Sequence, residues 1–320
     1  EQASLSTDAV RRAEGTLEPY REGVHKQLVS SVTNLKFLAK NRKELLSDFL
    51  AERRKSIAAD SPLATRTFAV VPSANATRLR RFLDLMSIQK FEVFDAGRAF
   101  KASGTDRLGK EVKDKDFPAG TLLIPNRQPL ARLLAAMLEF DPRMTPQFLT
   151  DERRDLLRFG RTRIYDITGW SIPMLFDVEC YELKGDPISD AQAKPVAEPT
   201  KQTTDAVTDP DSTVGFVING ADDASVTAAG RLMERGVWCR VADKPFQFDG
   251  KDLPRGSVLI TRKDNPRPEG DTTDKLVENL RAVCSELEIQ AVGVKSGWGP
   301  GDLPDIGGEH FVLLHKPQIG

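Results

Sequence analysis

The sequence predicts an α/β protein, with a long N-terminal helix followed by two tandem α/β units whose short sheets are mainly parallel. Three observations predict it. A single apolar stripe of helical period runs through residues 21–58, a far longer signal than an ordinary globular helix gives. Short aliphatic runs then alternate with amphipathic helical stretches, the pattern of crossover connections and parallel strands. Finally, that order occurs twice. KDFPAGTLLI at Lys115–Ile124 is matched by KDLPRGSVLI at Lys251–Ile260 in six of ten positions.

In the first helix Val24, Leu28, Val32, Leu35, Ala39, Leu46 and Phe49 recur at spacings of three, four or seven, which places them on one face. Lys36, Lys40, Arg42, Lys43, Glu52, Arg53 and Arg54 lie mostly off that face, and Pro62 is the latest stop. Thr67–Val71 reads as a buried strand, Pro72–Asn75 as a turn, and Leu79, Phe82, Leu83 and Met86 as one helix face. Phe91–Phe94 alternates as a strand does. Residues 101–116 are polar and rich in Lys and Asp, as in a loop, and Gly120–Pro125 is a short buried strand. A helix over 129–140 follows, with Pro129 suited to a first turn.

The second unit repeats the series. Thr213–Ile218 is a strand, 222–235 a helix, Val237–Val241 and Gly256–Thr261 strands, and 272–287 a helix carrying Leu276, Leu280, Val283 and Leu287. Between the units, 185–212 holds Gly185, Pro187, Pro195, Pro199 and Pro210 without apolar periodicity, the composition of a linker or exposed loop. The expected division is therefore 1–60 with the long helix, 61–184, the linker 185–212, and 213–320.

Composition excludes several classes. The 46 basic and 47 acidic residues leave a net charge of −1, so no long-range field recruits nucleic acid or an anionic membrane. No apolar run approaches the ~20 residues of a membrane helix. Cys180, Cys239 and Cys284 are odd in number, widely spaced and set in apolar surroundings, which fits buried thiols better than a disulfide framework or zinc knuckle. The chain starts at Glu1 without a secretion-signal pattern and is expected to be processed or a fragment.

Tyr165–Tyr181 (YDITGWSIPMLFDVECY) joins a turn, a large aromatic, a proline and an alternating strand. It resembles the YDVTAWSLP segment downstream of the catalytic domain in large bacterial zinc carboxypeptidases of the carboxypeptidase A-like family. Glu1–Ser4 (EQAS) is similar to the stretch in which these enzymes carry the glutamate that activates zinc-bound water. Val24-His25, the stretch Asn41–Leu46 and Asp48-Phe49 resemble the helix that trails it. The glycine-rich run from Ser296 to Gly308, ahead of Phe311, resembles the family's final stretch.

The resemblance implies that Glu1 is the general base, then the general acid toward the leaving amine. It also implies a peptide or protein substrate for the full-length enzyme, zinc held by sequence upstream, and an exported or periplasmic location. The same Glu1 also reads as a solvated terminal residue with no role. Zinc in this family is held by His-x-x-Glu and a later His, leaving one position for water. That set is absent here. His25 has Leu28 at plus three, and His310 and His315 stand five apart on an apparent strand, which aims them at opposite faces. No arginine can be assigned to the substrate carboxylate.

Gly297–Gly301 has the look of a phosphate loop, but runs into Asp302, Pro304 and Asp305, poor company for an anion. The turns Pro72–Asn75 and Asn219–Asp222 lie where open α/β sheets bind ligands, although both also read as helix caps. Trp170 reads as a buried anchor. Two readings follow. One is the post-catalytic portion of a zinc metallocarboxypeptidase, inactive alone for want of metal ligands and binding no cofactor itself. The other is a non-catalytic α/β binding or spacer module.

Overall fold

The computed structural model describes residues 9–11, 14–140, 144–164, 171–196, 205–267 and 274–316. A hairpin of β1 (Ala9–Arg11) and β2 (Leu17–Pro19) leads into α1 (Tyr20–Ile57). Glu22 in its first turn and Arg54 and Lys55 in its last suit the helix macrodipole. Asn41 leaves helical geometry (φ −104°, ψ 15°), and its side-chain amide donates to the Phe37 carbonyl at 3.0 Å. The helix is thus two rods joined at a break. It is anchored at its ends by Lys26 on Glu18 (3.1 Å), Arg132 on Glu52 (2.9 Å) and Arg127 Nε on the Ile57 carbonyl (2.8 Å). Its apolar stripe is uncovered: Tyr20, Val24, Leu28, Val32, Leu35, Leu46 and Phe49 are all exposed, Leu35 at 65%.

The next stretch comprises β3 (Arg66–Val70), α2 (Ala76–Ile88), β4 (Phe94–Asp95), β5 (Phe100–Asp106), β6 (Glu111–Phe117) and β7 (Leu122–Pro125). It continues with α3 (Ala131–Leu138), α4 (Pro146–Phe159), α5 (Ile172–Leu175), β8 (Cys180–Lys184) and β9 (Lys194–Pro195). These strands form one sheet in the order β6-β5-β8-β3-β7-β4-β9. Then come β10 (Val207–Thr208), β11 (Gly215–Ile218), α6 (Ala224–Glu234), β12 (Arg240–Ala242), β13 (Phe246–Phe248) and β14 (Lys251–Leu253). The series closes with β15 (Val258–Thr261), α7 (Lys275–Leu287), β16 (Ala291–Val294) and β17 (Phe311–Leu313). The second sheet runs β10-β16-β11-β15-β12-β17, with β13 and β14 as a separate hairpin.

The mixed α/β class and the long helix agree with the sequence; the strand direction does not. The sheets are mostly antiparallel rather than mainly parallel, and β10 with β16 is the one parallel pairing among the described strands. In the first unit β7 lies between β3 and β4, and β3 lies between β7 and β8. The α2 connection therefore joins β3 to β4, and the connection through α3, α4 and α5 joins β7 to β8, each pair sharing a direction without touching. This interleaved pair of split β-α-β units has the ferredoxin-like topology. The second unit repeats it with β16-β11-β15-β12 in place of β8-β3-β7-β4.

Covered faces explain the misleading signal. Phe68, Val70, Leu122 and Ile124 point to the helices, while Ala69, Leu123, Tyr181 and Leu183 pack with Phe100 and Phe117 on the other face. In the second unit Phe216, Ile218, Val258 and Ile260 meet α6 and α7, and Val217 and Leu259 meet Phe246, Phe248 and Phe311. A strand buried on both sides reads as an unbroken aliphatic run whichever way its neighbours point.

Residues 101–116, read as a polar loop, form most of the β5–β6 hairpin. Its outer strand is an edge, and the alternating charges of Lys113, Asp114, Lys115 and Asp116 solvate it. Within 185–212, β9 joins the first sheet and β10 the second. Helix α4 follows local rules: Thr145 caps it by accepting from Phe148 N, Pro146 opens it, and Gly160 closes it at φ 61°.

The duplication extends to single bonds. Ala96 N donates to Thr121 O at 2.9 Å and Ala242 N to Ser257 O at 3.0 Å. Thr121 Oγ1 and Ser257 Oγ each donate 2.8 Å to a proline carbonyl, Pro118 and Pro254.

Candidate functional site

The two strand–turn–helix corners singled out in the sequence meet each other. Asn75 Oδ1 caps its own helix by accepting from Arg78 N (3.0 Å) and also accepts from Asp223 N of the second unit (3.3 Å). Asp222, buried, accepts through Oδ2 from Thr77 N (3.0 Å) and through Oδ1 from Ala224 N (2.9 Å). Each helix start thus receives a side chain from the opposite unit, so amides that an anion would otherwise take are occupied. The corner at Gly220 is close: a Cβ there would lie 2.2 Å from the Gly256 carbonyl carbon.

Charge surrounds this seam. Arg78 forks onto Asp223 with Nε at 3.0 Å and Nη2 at 2.8 Å, and its Nη1 reaches Asp177 at 3.0 Å. Arg107 holds Asp177 from the other side at 2.8 Å. Arg80 places Nη1 2.8 Å from both Glu288 Oε2 and the Glu288 carbonyl, and Nη2 3.0 Å from the Leu287 carbonyl. Those carbonyls end α7, so a cation meets a helix C-terminus while Asp222 and Asp223 meet helix N-termini. The Arg78 hydrogen bonds hold Asp223 below the usual carboxylate range, and Arg107 does the same for Asp177. Carboxylates so paired stay ionised near neutrality and serve neither as general acid nor as ready base.

Beside the seam is a cavity of about 440 Å³, lined by Ala74, Val217, Asn219, Lys251, Leu253 and Gln290 among others. Its size and place between units suit a small ligand.

The other candidates disperse. Glu1 and the rest of EQAS, like Tyr165–Trp170, lie outside the described residues. His25 and His315 are exposed on α1 and after β17. His310 pairs through Nδ1 with Asp243 (2.9 Å), and its Nε2 stands 3.2 Å from Lys244 Nζ. That triad ties β17 to the loop after β12, with an ammonium where a nucleophile would have to sit. No group of three His, Cys, Asp or Glu able to hold a metal occurs among the described residues, and these imidazoles do not fit the zinc of the resembled family.

In the glycine run, Gly299 N donates to Asp305 Oδ1 (2.6 Å), which fills the amide a phosphate would need. Gly297 lies against Ile306, 2.5 Å from a built Cβ. The three cysteines are buried, and burial pushes the thiols of Cys239 and Cys284 up to about 12, so none is a nucleophile. Among the described residues no helix is long and apolar enough to cross a membrane.

The seam was missed in the sequence because its partners are 145 to 148 residues apart. Its only local sign was a polar cap residue at each corner. No family model, curated protein or solved structure matches this chain.

Proposed function

We propose that this chain is the post-catalytic portion of a zinc metallocarboxypeptidase, an enzyme that removes C-terminal residues from peptides, and is inactive alone for want of zinc ligands. The observation that carries this reading is α1, 38 residues long with its apolar stripe in water. An exposed apolar face of that extent is the mark of an interaction surface, and the resemblance assigns the helix to the end of a peptidase domain. Under this reading Glu1 supplies the carboxylate for water activation, and zinc and its ligands belong to sequence upstream. The two ferredoxin-like units then serve as a body fixed to the peptidase.

The coding sequence upstream tests the reading directly. It is expected to encode His-x-x-Glu and a later His. Joined to that segment, the chain is expected to release C-terminal residues from peptides, and the chain alone is not. An open reading frame that starts at Glu1 would remove the proposal.

The cavity at the seam favours a second reading, a binding module for a small ligand. It predicts a rise in melting temperature with one compound of a metabolite panel, about 2.7 kcal/mol of stabilisation at a hundredfold excess over the dissociation constant. The peptidase reading predicts none.

A further inference from the structure

The duplicated units provide an internal comparison, and they differ at one sheet edge. In the first unit β9 is the outer strand, with Pro195 opposite Phe94 and Val196 N donating to Val93 O at 2.8 Å. In the second, β17 holds that place, with Leu313 opposite Arg240 and Leu314 N donating to Cys239 O at 2.8 Å. Pro195 and Leu313 are therefore equivalent. A proline blocks an edge, because it has no N–H to offer an incoming strand. Leu313 leaves its N–H and C=O facing outward, and Val312 beside it is half exposed. The outward carbonyl of Phe311 accepts from Arg240 Nη1 (3.1 Å) and keeps a second lone pair.

The helix above the edge differs in the same sense. Phe91 N bonds Met86 O as Val237 N bonds Leu232 O. Counting back from these bonds makes Leu83 equivalent to Ala229. Leu83 packs on its core, whereas Ala229 and Gly230 leave a groove of about 610 Å³. Val226, Met233, Val258 and Leu314 line it, with Glu234 and Lys316 among its residues.

We propose that this edge and groove form a two-fold interface between two copies of the chain, with β17 paired antiparallel to its own copy. Only odd-numbered residues of β17 present free backbone groups outward, which restricts the register. Centring the two-fold on Val312 sets Leu313 of each copy opposite Phe311 of the other. Val312 and Leu314 lie on the helix side of the sheet, so four aliphatic side chains form a floor between the two α6 walls. An isologous contact needs such a self-complementary patch, and half-exposed Val312 on the axis, which meets its own copy there, selects a second copy over a foreign strand.

Sedimentation equilibrium on the purified chain tests this. The expected result is a dimer of 35.4 kDa chains. Leu313→Pro, which installs what the first unit carries and removes no ladder bond to β12, is expected to raise the dimer dissociation constant at least tenfold with the melting temperature of the dissociated protein unchanged. Val312→Lys is expected to weaken the dimer by setting two ammonium groups together on the axis, and mixing that variant with Val312→Glu to restore pairing. A wild-type monomer at 100 μM (about a hundredfold above a typical micromolar dissociation constant), or a dimer indifferent to Leu313→Pro, overturns the proposal.

Discussion

Asp222 caps two helices from one buried carboxylate, one oxygen to each unit. Asp222→Ala removes both bonds and leaves two helix-start amides without their partner. At ordinary cap values this costs about 2 kcal/mol, measured as a lower urea midpoint, with no change in folded-state circular dichroism. Asp223 and Asp177 titrate below their unfolded values because Arg78 and Arg107 bind the ionised form. A depressed carboxylate contributes stability at pH above its unfolded value near 4, and loses it as pH falls through the folded value. Urea midpoints are therefore expected to be flat from pH 7 to 5 and to drop below about pH 4. Arg78→Ala should lower the plateau and shrink the acid drop. At this scale the sequence disclosed the polar caps Asn75 and Asp222, but not that each serves the opposite unit, because capping motifs carry no information about partners so distant along the chain.

Among the elements, α1 was the most legible, expected over 21–58 and found at Tyr20–Ile57. Helical periodicity is local, so the stripe through Val24, Leu28 and Leu35 is visible without tertiary context. Whether the stripe is covered depends on tertiary contacts, which periodicity does not carry. Exposure gives a clean test of the peptidase reading. Leu35→Asp in this chain alone is expected to shift stability by less than about 0.5 kcal/mol, as surface changes do. Joined to the upstream segment, the same substitution should cost several-fold more and lower soluble yield. Equal effects in both settings would mean that the stripe meets nothing upstream. The strands were located more surely than they were paired. Phe91–Phe94 and Val237–Val241 each contributed only their last residues to β4 and β12, because the preceding residues turn in from the helix before the ladder begins.

For the molecule as a whole, the two sheets keep separate cores and join through charged and polar contacts at the seam. Arginine–carboxylate forks orient strongly but are weakened by salt where they are exposed. Calorimetry of the wild type at low salt is expected to give one cooperative transition. Arg78→Ala with Arg80→Ala should resolve it into two, and an unchanged single peak would show that the units cohere by other means. The repeat was readable from KDFPAGTLLI and KDLPRGSVLI, yet the direction of the strands was not, since burial on both faces erases the alternation that marks an antiparallel sheet. The shared wiring has a further consequence, for synthesis rather than for the finished protein. β3 and β11 occupy the same slot in sheets of the same connectivity, and on a ribosome the earlier copy is complete before its twin emerges. That sequential order keeps like segments from trading places, a protection that a chain diluted out of denaturant lacks.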